Sequence, residues 1–463
     1  RIPFEKDTTL THLRLTHAFV DSRDGGILNT VTPSAMVNFE YSVEQISVPL
    51  ISHEIGQYQI YPDYDEIKKY TGVVSAWNLE VFRNRLKQKG MIEQNKDFQK
   101  ASGAWSAICY KAEMEAALRT KRLAGFQLLD LQDFPGQGTA LVGILDAFME
   151  SKNVISREGW LQSCNDVVLL LEFPKYTWET NEYYKAKIRV ANYSNRTIID
   201  DVLWRITNQQ GKVHAEGTIP KVQITNGELI DVGEITTTFS KIKSAMKLTI
   251  DIHLKKNEHK NSYPIWVYPA AKTKIQTDGI IITDNLNNKI ISELEKGNKV
   301  LLFPTAESVK EKSVAGLFPP DFWNYGMFKG ISEWAKKPIS PGTLGILTNP
   351  EHPIFNSFPT EFHTNWQWFS IIKVSRSLEL NKTPQGYRPI VQVIDNLERN
   401  NKYGLIFEFS VGKGKILICM SRLNEILDKP EAYQLYESLI NYMNSESFSP
   451  KFSVDGKILF DLL

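Results

Sequence analysis

Cysteine is scarce: Cys109, Cys164 and Cys419 are the three in a chain of 463 residues. They lie too far apart to suggest a framework of paired bridges, lack metal-ligand spacing, and read as buried thiols. A large chain with good cores needs no disulfides, so the scarcity does not decide the compartment. The eight histidines form neither an HExxH pattern nor a His/Cys cluster, so no metal and no cofactor is expected. An excess of one charge is also missing. With 54 Lys and Arg against 53 Asp and Glu, a net of +1, there is no electrostatic ground for a nucleic-acid or anionic-membrane partner. No apolar run approaches the ~18 residues of a membrane span. Arg1 opens a polar segment without initiator methionine or signal peptide, which reads as the start of a mature or truncated piece.

What is present is a chain of 42% hydrophobic and 23% charged residues, long enough for two to four domains. Residues 1–153 alternate between strand and helix: a strand over Leu13 to Phe19, a turn-rich loop at Asp21 to Gly26, a helix from Ser34 to Ile46, a strand from Pro49, and a helix over Leu79 to Lys89 ended by Gly90. The next helix, Trp105 to Arg122, has Trp105, Ile108, Cys109, Ala112 and Ala116 on one face. Its i,i+4 pairs Lys111/Glu115 and Glu115/Arg119 fall on the other, which reads as the outside of a barrel. Residues 154–268 change texture. Short β-rich runs such as Val167 to Phe173, Tyr183 to Asn192 and Met246 to Leu254, with turns such as Asn208 to Gly211 between runs, predict an antiparallel sandwich. Residues 269–463 return to α/β. A strand at Gly279 to Thr283, a helix at Leu286 to Lys296 and a strand at Lys299 to Phe303 predict a doubly wound sheet.

The stretch with chemical content is Pro49 to Tyr61. Leu50, Ile51 and Ser52 form a buried-strand run that gives way at His53-Glu54-Ile55-Gly56, so a carboxylate arrives at a strand's C-terminal end, where parallel barrels keep their active residues. An acid held there by a helix dipole or an arginine gives the same local pattern. A second strand-like segment, Gly125 to Asp133, also ends in acids.

Together the two segments resemble the end of the catalytic barrel of glycoside hydrolase family 2, the β-galactosidase, β-mannosidase and β-glucuronidase group. Pro49, Glu54 and Gly56 match that family's P-(V/I)-x-x-(S/x)-E-(Y/F)-G strand, with Ile55 replacing the aromatic residue. Gly125, Asp130 and Asp133 match its GGFIWDWVD strand, with Leu129 replacing a sugar-stacking tryptophan. The resemblance implies a partial (β/α)8 TIM barrel, a retaining mechanism with Glu54 as nucleophile, a carbohydrate substrate, and a secreted or periplasmic location. His53, Gln57, Tyr58, Asp130 and Asp133 become pocket candidates; a packed histidine and aspartates that brace the barrel mouth are the alternatives. A full barrel takes ~250 residues. Retaining hydrolysis needs two carboxyls ~5–5.5 Å apart, and no Asn-Glu pair precedes Glu54. The chain is therefore expected to be inactive alone, to meet the missing N-terminal part of the barrel, and to leave homo-oligomerisation open.

Tyr183 to Ser194 resembles a strand of the immunoglobulin-like domains that flank such barrels. Asp278 to Pro304 is similar to class I glutamine amidotransferase-like, flavodoxin-like domains. Cys419 lacks a glycine-flanked elbow and a downstream histidine, so glutaminase chemistry is not expected. Gly412-x-Gly414 precedes a strand and does not make a dinucleotide fingerprint. The aromatic stretches Asp321 to Tyr325 and Glu361 to Phe369 suit either a sugar or an interface between domains, with the interface favoured. The rival to a glycosidase is a non-catalytic carbohydrate-binding or assembly protein built on a barrel remnant.

Overall fold

The computed structural model describes residues 26–43, 49–270 and 275–463. The strand expected over Leu13 to Phe19, most of the Asp21 to Gly26 loop and the end of the Ser34 to Ile46 helix lie outside them. The chain is multidomain and mostly β, with four separate sheets among the described residues.

The first part opens with two single turns, α1 (Ile27–Thr30) and α2 (Glu40–Val43). No continuous helix starts at Ser34. The Ser34 hydroxyl accepts from Met36 N (3.0 Å) and the Asn38 side chain from Glu40 N (3.1 Å), offering the backbone local partners that compete with helix. Then come β1 (Leu50–Gly56), α3 (Trp77–Gln88), α4 (Asn95–Arg119) and β2 (Leu123–Leu129). β1 and β2 pair in parallel as a two-stranded sheet with α4 in the crossover between them. No barrel closes among the described residues; what forms of it is one βαβ unit.

The helix α4 is not an outer helix. The pair-forming side is interior: Glu115 bonds Lys111 at 2.8 Å and Arg119 at 2.9 Å, and both Glu115 and Arg119 keep 3% side-chain exposure. Asn261 Nδ2 donates to Glu115 at 2.8 Å and Arg119 donates to the Leu171 carbonyl at 3.1 Å, so this face is covered by the following β domain. Towards its start, Trp105 Nε1 donates to the Phe318 carbonyl at 2.9 Å, and the ring meets Phe318 and Trp366 edge-on. One helix thus supplies core to both of its neighbours.

After the turn α5 (Arg157–Trp160), eight strands follow: β3 (Val167–Glu172), β4 (Thr177–Glu179), β5 (Tyr183–Asn192), β6 (Ile198–Asn208), β7 (Val213–Ile224), β8 (Glu228–Thr238), β9 (Met246–Leu254) and β10 (Lys260–Tyr268). They form a three-stranded sheet, β3-β5-β8, and a five-stranded sheet, β4-β10-β9-β6-β7. Pairing is antiparallel except between β4 and β10. Alternate residues such as Ile188, Val190, Ile250 and Ile252 are buried in one core, as a half-solvated strand requires. The turn between β6 and β7 forms where the sequence places it, with Asn208 accepting from Gln210 N and Lys212 N and Gly211 at φ 77°.

The last part contains β11 (Ile280–Thr283), α6 (Asn288–Lys296), β12 (Lys299–Leu302), β13 (Ser313–Ala315), α7 (Tyr325–Trp334), β14 (Thr343–Thr348), α8 (Phe369–Lys373), β15 (Arg376–Glu379), β16 (Val391–Asp395), β17 (Tyr403–Val411), β18 (Gly414–Cys419) and α9 (Pro430–Asn444). Asn287 caps α6 and Gly297 ends it in the left-handed region, so β11-α6-β12 is the βαβ unit that the spacing predicts. The expectation of a doubly wound sheet ends with β18. Only β11, β12 and β18 are parallel; β17, β16, β15, β14 and β13 pair antiparallel. The cause is local. Gly412 (φ 58°) and Lys413 alone separate Val411 from its partner Gly414, and a two-residue turn can only make a hairpin. Cys419 is fully buried, and burial pushes its thiol up to about 12, which makes it inert.

Candidate functional site

β1 ends abruptly. Glu54 (φ 59°), Gly56 (φ 95°) and Gln57 (φ 68°) all have left-handed backbones, and the pairing with β2 slips between Ser52 and Ile55. Glu54 therefore rides on a bulge at the strand's C-terminal end, a device that re-aims a side chain. The bulge is pinned from α4. Glu113, buried, accepts from Gly56 N at 2.7 Å and from the Tyr58 hydroxyl at 2.5 Å. The Tyr110 hydroxyl lies 3.2 Å from the Leu129 carbonyl and 2.9 Å from that of Val142, tying β2's end to the same helix. Gln57 joins the two strand ends, its N donating to Leu129 O at 2.9 Å and its side-chain amide to Glu54 O at 3.0 Å.

Gly56 is the residue this arrangement cannot replace. A Cβ there would stand 2.0 Å from Cε1 of the Tyr110 ring, which is fully buried and held at its hydroxyl. Gly56→Ala is expected to cost about 2–3 kcal/mol through overpacking and left-handed strain, read as a lower urea midpoint at unchanged m-value.

Asp130 directly follows β2, whose Leu129 pairs with Gly56 at the end of β1. Its carboxyl is raised above the ordinary aspartate value, first by burial and then by the charge of Glu54 from the adjacent strand end. A carboxyl whose folded value is raised contributes its stability below the unfolded value of 3.8 and loses it as pH rises through the folded one. Asp130→Asn is therefore expected to raise the melting temperature at pH 7 and to leave it unchanged at pH 3, by differential scanning fluorimetry.

The sequence-derived candidates divide. Glu54, Gln57 and Asp130 come together at the strand ends. Tyr58 turns inward onto Glu113. Asp133 is buried, bonded to Lys152 Nζ at 2.6 Å and to Gly143 N at 3.0 Å, with burial raising its carboxyl against the pull of Lys152. The backbone of His53 lies in β1. Glu113 and Tyr110 were missed by the sequence reading, which followed the apolar stripe of the helix; its i,i+3 neighbour to Tyr110 was the available signal.

Two cavities lie elsewhere. A cleft of about 870 Å³ separates the start of α4 from the C-terminal sheet, and one of about 300 Å³ lies where α4, the sandwich and Glu361 to Trp366 meet. Neither includes Glu54 or Asp130. The aromatic stretches pack between domains: Trp366 stacks on Tyr176 at 5.0 Å, Trp368 Nε1 donates to Thr360 at 2.9 Å, and Phe322 bridges to Tyr58. Phe362 is the ring of the second stretch left at the surface, 40% exposed. Among the described residues there is no group of three or more His, Cys, Asp or Glu able to hold a metal, and no helix long and apolar enough to cross a membrane.

Residues 281–463 match the family model of a domain of unknown function, DUF8487, and residues 182–269 that of another, DUF8488. No curated protein sequence matches the chain. Solved structures with local likeness include a β-D-mannosidase from Dictyoglomus thermophilum, 13% identical over 49% of this chain and 29% of that one, with a TM-score of 0.28. An exo-chitosanase from Amycolatopsis orientalis is 11% identical over 38% of this chain and 19% of its own, with a TM-score of 0.25. The CARDB domain of a Pyrococcus furiosus protein is 14% identical over 22% of this chain and 94% of its own, with a TM-score of 0.18. The chain thus spans less than a third of the two enzymes.

Proposed function

We propose that this chain is the C-terminal part of a retaining glycoside hydrolase of the family 2 type, with Glu54 as its nucleophile. The observation that carries the reading is the bulge at the end of β1, which holds Glu54 beside Asp130 at the C-terminal ends of two parallel strands. In this reading the Glu54 carboxylate attacks the anomeric carbon, an acid outside this chain protonates the leaving oxygen, and water activated by that same group releases the sugar from Glu54. Asp130, which burial pushes towards its protonated form, suits a hydrogen-bond donor to a sugar hydroxyl. Gln57 positions the bulge, while Tyr58 and Asp133 brace the strand ends from inside. The neighbouring barrel strands that complete the site are contributed by sequence upstream, and export to the cell exterior or periplasm goes with a carbohydrate substrate.

The test is covalent capture. The parent protein treated with a panel of 2-deoxy-2-fluoro glycosyl fluorides and digested should yield a single glycosylated peptide containing Glu54. A label on another carboxylate, or none with any sugar of the panel while hydrolysis proceeds, sinks the assignment. A parent protein that neither hydrolyses nor is labelled by any sugar of the panel supports instead the non-catalytic binding reading, which the large cleft remote from Glu54 favours.

A further inference from the structure

The cleft of about 870 Å³ has no part in the strand-end chemistry, yet its size falls in the ~300–1,000 Å³ range of ligand sites. One wall is the first turns of α4, with Asp97 and Lys100. The other is the C-terminal sheet, with His352 and Phe362 after β14, Arg388 before β16, Glu408 on β17, and Lys451 beyond α9. The charges are unequal. Among the described residues, Lys100, Arg388 and Lys451 have no carboxylate within bonding distance, and the Arg388 guanidinium donates to the backbone carbonyls of Gly90, Gln385 and Tyr387. Of the two acids, Glu408 is taken up by the Tyr442 hydroxyl at 2.8 Å, and burial raises it towards the neutral form. Asp97 stands exposed at the rim. His352 is kept towards neutral by burial and by the nearby Lys451 ammonium. Phe362 offers a ring 40% exposed.

We propose that this cleft is a binding site for an acidic oligosaccharide, with sugar rings against Phe362 and sugar carboxylates met by Lys100, Arg388 and Lys451. Three cations without acid partners around an open apolar-walled groove favour an anion, because a carboxylate supplies the charge-assisted bonds they lack. An exposed aromatic face beside them favours a ring-shaped ligand over a compact ion. The saccharide part rests on the glycosidase reading above; the anionic part does not.

Titration calorimetry of the full chain with tetragalacturonic acid, a size-matched neutral maltotetraose and inorganic tripolyphosphate tests it. Tetragalacturonic acid is expected to bind at least tenfold tighter than maltotetraose, to weaken as salt rises from 50 to 300 mM, and to lose at least tenfold in K100Q/K451Q. Both lysines are exposed, so the variant should keep the wild-type melting temperature. F362A should weaken the sugar acid while leaving tripolyphosphate unaffected. Equal affinity for the neutral sugar overturns the anionic assignment, tripolyphosphate binding as tightly as the sugar acid overturns the saccharide class, and no binding of any probe overturns the site. Hydrolysis is read separately. Cleft binding with no role for Glu54 removes only the glycosidase reading, and a Glu54 phenotype without cleft binding removes only this one.

Discussion

Glu54→Gln in the parent protein is expected to lower kcat for aryl glycosides by on the order of 10³-fold or more, with KM changed little. A nucleophile acts in the transition state, so its loss appears in kcat rather than in substrate binding. Glutamine keeps the shape and the half-buried setting of the residue, and the contact with Gln57 uses the main-chain carbonyl and survives the change. Unaltered steady-state rates would take Glu54 out of the mechanism. The accompanying signature is rescue of the truncated variant Glu54→Ala: azide should restore turnover of a substrate with a good leaving group and give a product of inverted configuration, detectable by proton NMR, because the small anion attacks from the space that the missing side chain vacates.

The largest effect on stability is expected at Glu115. Removing it as Glu115→Ala leaves Lys111 and Arg119 side by side in the interior, with 19% and 3% of their side chains exposed. Breaking a buried ion group this way costs about 3–5 kcal/mol, read as a shift of the urea midpoint. The partners respond differently. Burial raises the Glu115 carboxyl but the two cations and Asn261 outweigh it, so its value is lowered overall, whereas burial dominates at Lys111 and lowers the ammonium. The lowered carboxyl is the firmer of the two, because Glu115 is bonded on both oxygens. Its contribution is present above the unfolded value of 4.5 and lost as pH falls through the folded one. The difference between wild type and variant should therefore narrow in acid. A Glu115→Ala chain as stable as wild type at pH 7 would contradict the buried triad.

What could be read from sequence follows the range of the forces involved. Tyr183 to Asn192 alternates because one face meets the sandwich core, and that period is local to the strand. The βαβ unit from Ile280 to Leu302 is announced by its strand, helix, strand spacing, which is equally local. The burial of Lys111, Glu115 and Arg119 was hidden because i,i+4 charge pairs look solvated until Asn261 and the Leu171 carbonyl arrive from distant sequence. The antiparallel half of the C-terminal sheet was hidden because Gly412-Lys413-Gly414 reads equally as a lead into a strand and as a hairpin turn. At the candidate site, the motif singled out Glu54 and Asp130, which lie at the ends of the paired strands β1 and β2. The supports at Tyr110 and Glu113 depend on how a helix is rotated against a strand, which the apolar stripe alone did not reveal.

The placement of α4 constrains how such a chain can diversify. A module joined only by linkers can be exchanged by recombination at its borders, but here a cut on either side of Asn95–Arg119 strips an inner wall from the sandwich and from the C-terminal sheet at once. Descendants are thus free to lose or remodel outlying segments while this one is inherited with both of its companions. Limited proteolysis reads out the same bond between parts: chains nicked between β2 and β3 should still migrate as one particle under native conditions.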